Sequence, residues 1–156
     1  MAYCLKSNPK KVLDFGAGIG QNAYVLAREG IDIAVADVDS YTLDFAEWRF
    51  KKHHVPAMFW RVDKELALNV KFDLVLCSDV LEHIPLEEAK KTVELLGSLK
   101  APRAKVLLTA PFEKTSFCPM HFNKNNELDK HIKKFLTKDV LYTNENVLYA
   151  KILEKL

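Results

Sequence analysis

The chain of 156 residues is predicted to form a single α/β domain, with a parallel sheet covered by helices on both faces. Short apolar runs alternate with segments of helical periodicity, which is the pattern of strand–helix–strand units. The run at residues 72–77 is apolar on both faces, as expected for a central parallel strand. A glycine-rich turn at residues 16–20 joins an apolar run to a helical pattern, which favours a ligand site at a strand end.

Five strands and a C-terminal hairpin are predicted from the apolar runs and their stop signals. A glycine or proline ends the first and the fifth run. The segment after residue 138 contains two apolar stretches around Asn144–Asn146, which suit a tight turn, so an antiparallel hairpin is expected there. The five predicted strands cover residues 10–16, 32–37, 55–60, 72–77 and 105–111.

Four helices are predicted between these strands from apolar spacing and capping residues. The first covers residues 21–29 and ends at Gly30. Asp39 or Ser40 caps the second, in which Trp48 is expected to pack against the rest of the domain. Pro85 suits the first turn of the third helix, and a weak fourth helix covers residues 127–135.

Composition excludes several classes of protein. The 23 basic and 21 acidic residues give a net charge of +2, which neither favours nor excludes a nucleic-acid partner. Three scattered cysteines without a CxxC pair form neither a disulfide framework nor a zinc site. The sequence has neither a signal-peptide pattern nor an apolar run long enough to span a bilayer, so a cytoplasmic protein without a membrane partner is predicted.

The glycine-rich turn is compatible with two classes of ligand, dinucleotides and S-adenosylmethionine. A bare backbone at a helix N-terminus lets amide groups approach a charged ligand. Dinucleotide sites use GxGxxG, but here Gln21 occupies the third glycine position and Gly20 comes one residue early. The observed spacing is GxGxG, with Asp14 two residues before Gly16.

The DxGxGxG motif at residues 14–20 resembles the first motif of class I S-adenosylmethionine-dependent methyltransferases, and the chain is similar to that family along nearly its whole length. Further similarities are the acid after the second strand, FDLVLCSDVLEHIP at residues 72–85 and KVLLTAPF at residues 105–112. The resemblance implies a Rossmann-like fold, S-adenosyl-L-methionine as cofactor, and methyl transfer to an O or N nucleophile of an unidentified acceptor.

The resemblance also implies which residues bind the cofactor. Backbone amides of the turn would take its amino-acid end, Asp37 its ribose hydroxyls and Asp63 its adenine amino group. Cys77 and Ser78 would lie beside it. The complete expected set is Asp14, Phe15, Gly16, Ala17, Gly18, Gly20, Asp37, Val38, Asp63, Cys77 and Ser78.

Candidate catalytic residues lie in SDVLEHIP and in the loop after the fifth strand. Asp79, Glu82 and His83 stand at i, i+3 and i+4, so one helical turn would point them the same way. Glu82, His83 and His121 are the candidate catalytic residues. Together with Asp79 they resemble the ExxEH arrangement that binds a divalent cation in ubiquinone-pathway and small-RNA 3′-end O-methyltransferases. Alternatively, the glutamate and histidine fix a loop or line the substrate mouth.

Only residues 1–10 precede the first predicted strand, whereas members of this family carry cofactor-covering helices there. The N-terminal helical cap is therefore expected to be largely missing, which leaves an open site or one completed by a homo-oligomer or a partner chain. Two other functions stay open: a non-catalytic cofactor-binding module, and a nicotinamide-dependent oxidoreductase, which Gln21 disfavours.

Overall fold

Six strands form one sheet in the computed structural model, which describes residues 7–65, 69–109, 120–121, 126–136 and 140–143. The strands are β1 Lys11–Phe15, β2 Asp32–Asp37, β3 Met58–Arg61, β4 Phe72–Ser78, β5 Lys100–Thr109 and β6 Val140–Thr143. Their order is β3–β2–β1–β4–β5–β6, and all neighbours pair parallel. This confirms the predicted α/β class. The order reverses between β1 and β4, where parallel sheets bind ligands at their carboxyl ends.

Helices cover both faces of the sheet within the described residues. They are α1 Gln21–Arg28, α2 Tyr41–Lys52, α3 Leu86–Leu99 and α4 Asn126–Leu136, with a 3₁₀ turn at Leu81–His83. On one face, residues such as Leu26 of α1 and Phe50 of α2 pack with Val35 of β2. On the other face, Val93 of α3 and Ile132 of α4 pack with strand residues. None of the helices in these ranges is long and apolar enough to cross a membrane.

Local hydrogen bonds explain where several elements begin. The Ser40 hydroxyl accepts from the Leu43 backbone N–H at 3.4 Å, so Ser40 rather than Asp39 is the N-cap of α2. Asp73 Oδ2 accepts from the backbone N–H groups of Lys10 and Lys11 at 3.0 and 2.9 Å. The bonds to Asp73 hold the start of β1 against β4.

Two strand starts differ from the prediction by three or more residues. The third predicted strand starts at residue 55, but Val55 N–H donates to Phe50 O at 2.9 Å and closes α2 instead. The strand β3 therefore begins only at Met58. Strand β5 begins earlier than predicted, at Lys100, and its pairing with β4 shifts register beyond Phe72.

Two further predictions concern the C-terminal region and Trp48. The first strand of the predicted hairpin corresponds to β6, which pairs parallel with β5, while the turn and second strand lie outside the described residues. The expectation that Trp48 packs inside the domain is wrong, because its side chain is 52% exposed. The buried face of α2 is formed by Leu43, Ala46 and Phe50, and Trp48 lies on the opposite side.

Candidate functional site

The turn after β1 needs glycine at each of its three glycine positions. Gly16, Gly18 and Gly20 have φ angles of 71°, 53° and 66°, in the left-handed region that other residues rarely adopt. A Cβ on Gly16 would lie 2.1 Å from Val80 Cγ2, and one on Gly20 would lie 3.2 Å from Ala46 Cβ. A Cβ on Gly18 would meet no atom of the described residues within 4 Å. Two glycines therefore allow close packing, whereas Gly18 leaves open space beside the bare backbone.

Asp37 joins this turn to the end of β2. Its Oδ2 accepts from Gly18 N–H at 2.6 Å, and its Oδ1 accepts from Val38 N–H at 2.7 Å. Gly16 and Ala17 N–H both donate to Ala36 O, at 2.8 and 3.1 Å. Each carboxylate oxygen of Asp37 has a second lone pair, so the group retains the capacity to accept from two ligand hydroxyls.

Arg49 of α2 holds the turn from its outer side, and the sequence analysis missed it. Its Nη2 donates to Ile19 O and Gly20 O, both at 2.9 Å, and its Nη1 donates to Gln21 Oε1 at 3.0 Å. The guanidinium also lies 4.6 Å from the centroid of the Tyr24 ring. In the sequence, Arg49 reads as an ordinary basic residue that interacts with the dipole in the last turn of a helix. Nothing in the sequence therefore indicates its contact with a loop some 30 residues earlier.

Asp14 and Phe15 support the turn from below. Asp14 is buried, and its Oδ2 accepts from Ala23 N–H at 3.1 Å in the first turn of α1. Burial raises the pKa of the Asp14 carboxyl to about 6, although the bond from Ala23 acts in the opposite direction. Phe15 is buried in an edge-to-face contact with Trp60, with ring centroids 6.3 Å apart. Both side chains therefore contact the protein interior.

The loops after β2 and β3 are also linked. Asp63 Oδ1 accepts from Asp39 N–H at 2.7 Å, and the Asp39 carboxylate pairs with Arg61 at 3.1 Å. Val38 lies between Asp37 and Asp39 with half of its side chain exposed. This gives the opening beside Asp37 one apolar side chain.

The end of β4 lies beside the end of β1. Cys77 pairs in register with Phe15 and is fully buried, and this burial raises the pKa of its thiol far above the usual range. Ser78 is half-buried and pairs with Thr109 of β5. Next to the opening, Cys77 therefore contributes backbone rather than a reactive thiolate.

The turn after β4 differs from the expected helical turn. Asp79 has a left-handed φ of 57°, and the 3₁₀ turn starts only at Leu81. As a result, Asp79 does not join the cluster formed by Glu82, His83 and His121, whose potential ligand atoms all lie within 4.8 Å of one another. The regular spacing that the sequence suggested is interrupted by the backbone at Asp79.

Glu82 is the most unusual residue of this cluster. It is fully buried, and neither carboxylate oxygen has a hydrogen-bond partner among the residues that the structure describes. Burial raises the pKa of the Glu82 carboxyl to about 7, and the charge of Asp79 acts in the same direction. The rings of His83 and His121 lie 4.8 Å apart, with His83 exposed. A buried carboxylate without a partner is costly, which marks this position as a candidate functional group.

Comparisons with known proteins identify the family of the chain. The sequence model of the family described as "Methyltransferase domain" matches residues 2–142. Magnesium-protoporphyrin O-methyltransferase of Synechocystis is 32% identical over 105 residues, covering 64% of this chain and 44% of that protein. Ubiquinone biosynthesis O-methyltransferase of Pectobacterium carotovorum is 29% identical over 103 residues, covering 64% of this chain and 42% of that protein. The chain thus spans less than half the length of these curated relatives.

The fold is also that of solved methyltransferases. The structure of magnesium protoporphyrin IX methyltransferase from Synechocystis with bound S-adenosylhomocysteine superimposes with a TM-score of 0.67 at 24% identity, covering 85% of this chain and 67% of that one. A matching family model over most of the chain establishes membership. The chain belongs to the methyltransferase domain family, and its fold is that of the class I S-adenosylmethionine-dependent methyltransferases.

Proposed function

We propose that this domain transfers the methyl group of S-adenosylmethionine to an oxygen atom of an acceptor molecule. The observation that carries the proposal is the contact between the two loops at the carboxyl ends of β1 and β4. Val80 packs directly over Gly16, so the turn that contains Glu82 lies next to the glycine turn. A cofactor held by one loop would thereby expose its reacting carbon to side chains of the other.

Three features of the glycine turn fit the cofactor. Open space at Gly18 admits a ligand to the backbone amides. Asp37 accepts the two ribose hydroxyls, and the half-exposed Val38 packs against the adenine ring. Asp14 and Arg49 keep the turn in place without touching the ligand. When bound, S-adenosylmethionine supplies a methyl group that its sulfonium charge has already activated.

Glu82 is proposed to accept the proton of an acceptor hydroxyl. Neither of its two buried oxygens has a hydrogen-bond partner among the described residues, so the hydroxyl of an acceptor would supply the hydrogen bond that the carboxylate needs. His83 and His121 are proposed to line the acceptor entrance, because their rings adjoin each other and His83 is exposed. Oxygen is favoured over nitrogen because the two curated relatives described above are named O-methyltransferases. The acceptor itself and the cytoplasmic location remain predictions.

A second candidate role for the same cluster is to hold a divalent cation beside the acceptor oxygen. Glu82, His83 and His121 offer one carboxylate and two imidazoles, a donor set that suits several divalent metals. Ligands about 2.1 Å from an octahedral Mg²⁺ lie about 3–4 Å apart, so the observed 4.8 Å limit requires only small side-chain rotations. The cation would polarise the acceptor hydroxyl and favour loss of its proton.

Calorimetry with S-adenosylhomocysteine tests the cofactor site. The wild-type domain should bind it, and Asp37→Asn should weaken binding by about 10- to 100-fold, as expected for hydrogen bonds to a charged group. Asp32→Asn, an exposed acid at the other end of β2, is the matched control and should bind normally. Equal affinity of wild type and Asp37→Asn would contradict the proposed site.

Transfer of a labelled methyl group to a panel of phenols and carboxylic acids tests the reaction. Turnover of at least one oxygen acceptor supports the proposal, whereas cofactor binding without turnover over the panel favours the non-catalytic module. Repeating the assay after chelation and with added Mg²⁺ or Mn²⁺ separates the two roles of the cluster. Activity that survives chelation in wild type and is lost in Glu82→Gln identifies proton transfer without a metal.

A further inference from the structure

Helix α2 is apolar on two opposite faces. Leu43, Ala46 and Phe50 face the core, as in an ordinary surface helix. On the opposite face, Tyr41 and Trp48 are 93% and 52% exposed. The outer face of a surface helix is normally polar. Exposed apolar side chains on that face therefore indicate a surface that another molecule covers.

The exposed face forms a continuous stripe with a basic end. Tyr41, Phe45, Trp48 and Lys52 stand at i, i+4, i+7 and i+11, so they follow one line along the helix. Phe45 is 44% exposed, and its ring centroid lies 5.5 Å from that of Trp48. Lys52 Nζ lies 4.6 Å from the centroid of the Trp48 ring. We call these four residues the α2 stripe.

Charges beside the α2 stripe are separated along the helix. The acidic residues Asp44 and Glu47 lie in the first part, and the basic residues Arg49, Lys51 and Lys52 lie in the second. A groove of about 620 Å³ is lined by Trp48 and by members of both groups, namely Asp44, Glu47, Lys51 and Lys52. Two copies of this helix therefore have complementary charges only when they pack antiparallel.

We propose that the α2 stripe is the interface of a homodimer, in which α2 packs antiparallel against α2 of a second copy. A two-fold axis between Phe45 and Trp48 sets Phe45 against Trp48 of the second copy and Tyr41 against Lys52 of the second copy. The ring pairs and the cation–π pairs then each occur twice, as an isologous interface requires. Asp44 and Glu47 pair with Arg61 in the same chain, and Glu47 also pairs with Lys51. An antiparallel arrangement adds a basic half opposite each acidic half, whereas a parallel one would bring like charges together.

The charge pattern favours a second copy over other partners. A polyanion such as single-stranded nucleic acid would meet the carboxylates of Asp44 and Glu47 next to the aromatic rings. Arg61 binds both of these carboxylates, so they are held in place at the helix surface. Exposed tyrosine, phenylalanine and tryptophan side chains are also the residues enriched in protein–protein interfaces.

Sedimentation over a range of protein concentrations tests the dimer. Wild type should associate into dimers, and Trp48→Glu should weaken association by about 30-fold or more, as for a central aromatic residue of an interface. Phe135→Glu is the matched control, because Phe135 is an aromatic residue of similar exposure, 42%, on α4. That variant should associate like wild type. A wild-type protein that stays monomeric, or equal effects of the two variants, would overturn the proposal.

Cross-linking tests the antiparallel direction. A mixture of Tyr41→Cys and Lys52→Cys chains should form cross-linked dimers with a short bifunctional thiol reagent. Each variant alone should not exceed the wild-type background from native cysteines, because like ends lie about 16 Å apart in an antiparallel pair. Both positions are exposed, so neither change should affect folding. Preferential cross-linking within each single variant would overturn the antiparallel arrangement, and Trp48→Glu in both chains should abolish the mixed product.

Discussion

The two loops that meet at the carboxyl end of the sheet are built in opposite ways. In the glycine turn, described backbone groups are held by partners: Gly18 by Asp37, and Ile19 and Gly20 by Arg49. In the turn after β4, the buried carboxylate of Glu82 has no hydrogen-bond partner on either oxygen within the described part of the chain. One loop is ordered before any ligand arrives, whereas the other contains a group that is incompletely satisfied within the protein.

This difference suggests a division of labour between binding and chemistry. A preformed turn loses little conformational entropy when a ligand binds, which favours affinity. An unpartnered buried carboxylate is destabilising, and such groups cluster at functional sites because a substrate, a proton or a metal completes them. We therefore expect substitutions in the glycine turn to change cofactor binding and stability, and substitutions at Glu82 to change turnover.

The largest expected effect is that of Glu82→Gln on methyl transfer. The change keeps the shape of the side chain but removes its charge, so turnover should fall by about 10²–10⁴-fold, the usual contribution of a general base. Affinity for S-adenosylhomocysteine should remain within a few-fold of wild type. The melting temperature at pH 8 should not fall, because the variant no longer buries a charge without a partner.

Kinetics, calorimetry and thermal unfolding together check the effect of Glu82→Gln. Glu88→Gln, an exposed residue on α3 that pairs with Lys91, is the matched control and should change none of the three quantities. Full activity of Glu82→Gln would show that the unpartnered carboxylate takes no part in the reaction.

The next largest effect is expected for Gly16→Ala. The new Cβ would meet Val80 at 2.1 Å, and φ is 71°, so overpacking and backbone strain together should lower the free energy of unfolding by about 2–4 kcal/mol. The Cβ of Gly18→Ala meets no atom of the described residues, so the change should cost only about 1 kcal/mol, mainly from its positive φ. Its Cβ projects into the proposed ligand space, so it should nevertheless weaken cofactor binding.

Denaturant unfolding and calorimetry of the two glycine variants separate packing from ligand contact. Val80→Ala in the Gly16→Ala background removes the nearest atom and should recover part of the lost stability. If Gly16→Ala were as stable as wild type, the contact between the two loops would be wrong.

Sequence alone predicted the sheet and much of the turn because these follow from local patterns. The boundaries of β2 were predicted to the residue, since an apolar run between two aspartates defines them. The glycine turn was predicted from spacing, because positive φ angles and tight packing both restrict the residue type.

The rest depended on contacts between distant segments or on backbone angles. The contact of Arg49 with Ile19 and Gly20 joins residues that no periodicity relates. Asp79 was grouped with Glu82 because an i, i+3 spacing places two residues on one face of a continuous helix. The backbone at Asp79 is left-handed instead, so Asp79 does not belong to the cluster. Trp48 was expected to pack against the rest of the domain, although the spacing of Leu43, Ala46 and Phe50 already assigns it to the opposite face.

A smaller effect is expected for Arg49→Lys, which tests the preformed turn directly. Lysine keeps the charge but cannot donate to Ile19 O, Gly20 O and Gln21 together, so the turn should be less ordered before binding. Affinity for S-adenosylhomocysteine should fall by about tenfold with little change in turnover. Arg28→Lys, at the exposed end of α1, is the matched control. Unchanged affinity of Arg49→Lys would mean that the turn keeps its shape without this residue.

The last expected effect is a pH dependence of stability that arises from Asp14. Burial raises the pKa of this carboxyl from 3.8 to about 6, so the folded state holds the proton more tightly than the unfolded chain does. The resulting stabilisation is fully present below about pH 4 and is lost as the pH rises through about 6. In Asp14→Asn this contribution is absent at every pH.

Urea unfolding of wild type and of Asp14→Asn, without cofactor and between pH 4 and pH 8, tests this prediction. The contribution of Asp14 is the difference between the two curves of unfolding free energy against pH. The free energy of unfolding of wild type should fall relative to that of the variant between about pH 4 and 6, and the difference should then stay constant. A difference that rises with pH over this window would mean that the charged carboxylate is stabilised in the folded state. The bond from Ala23 would then outweigh burial, and the interior below the glycine turn would be more polar than the structure indicates.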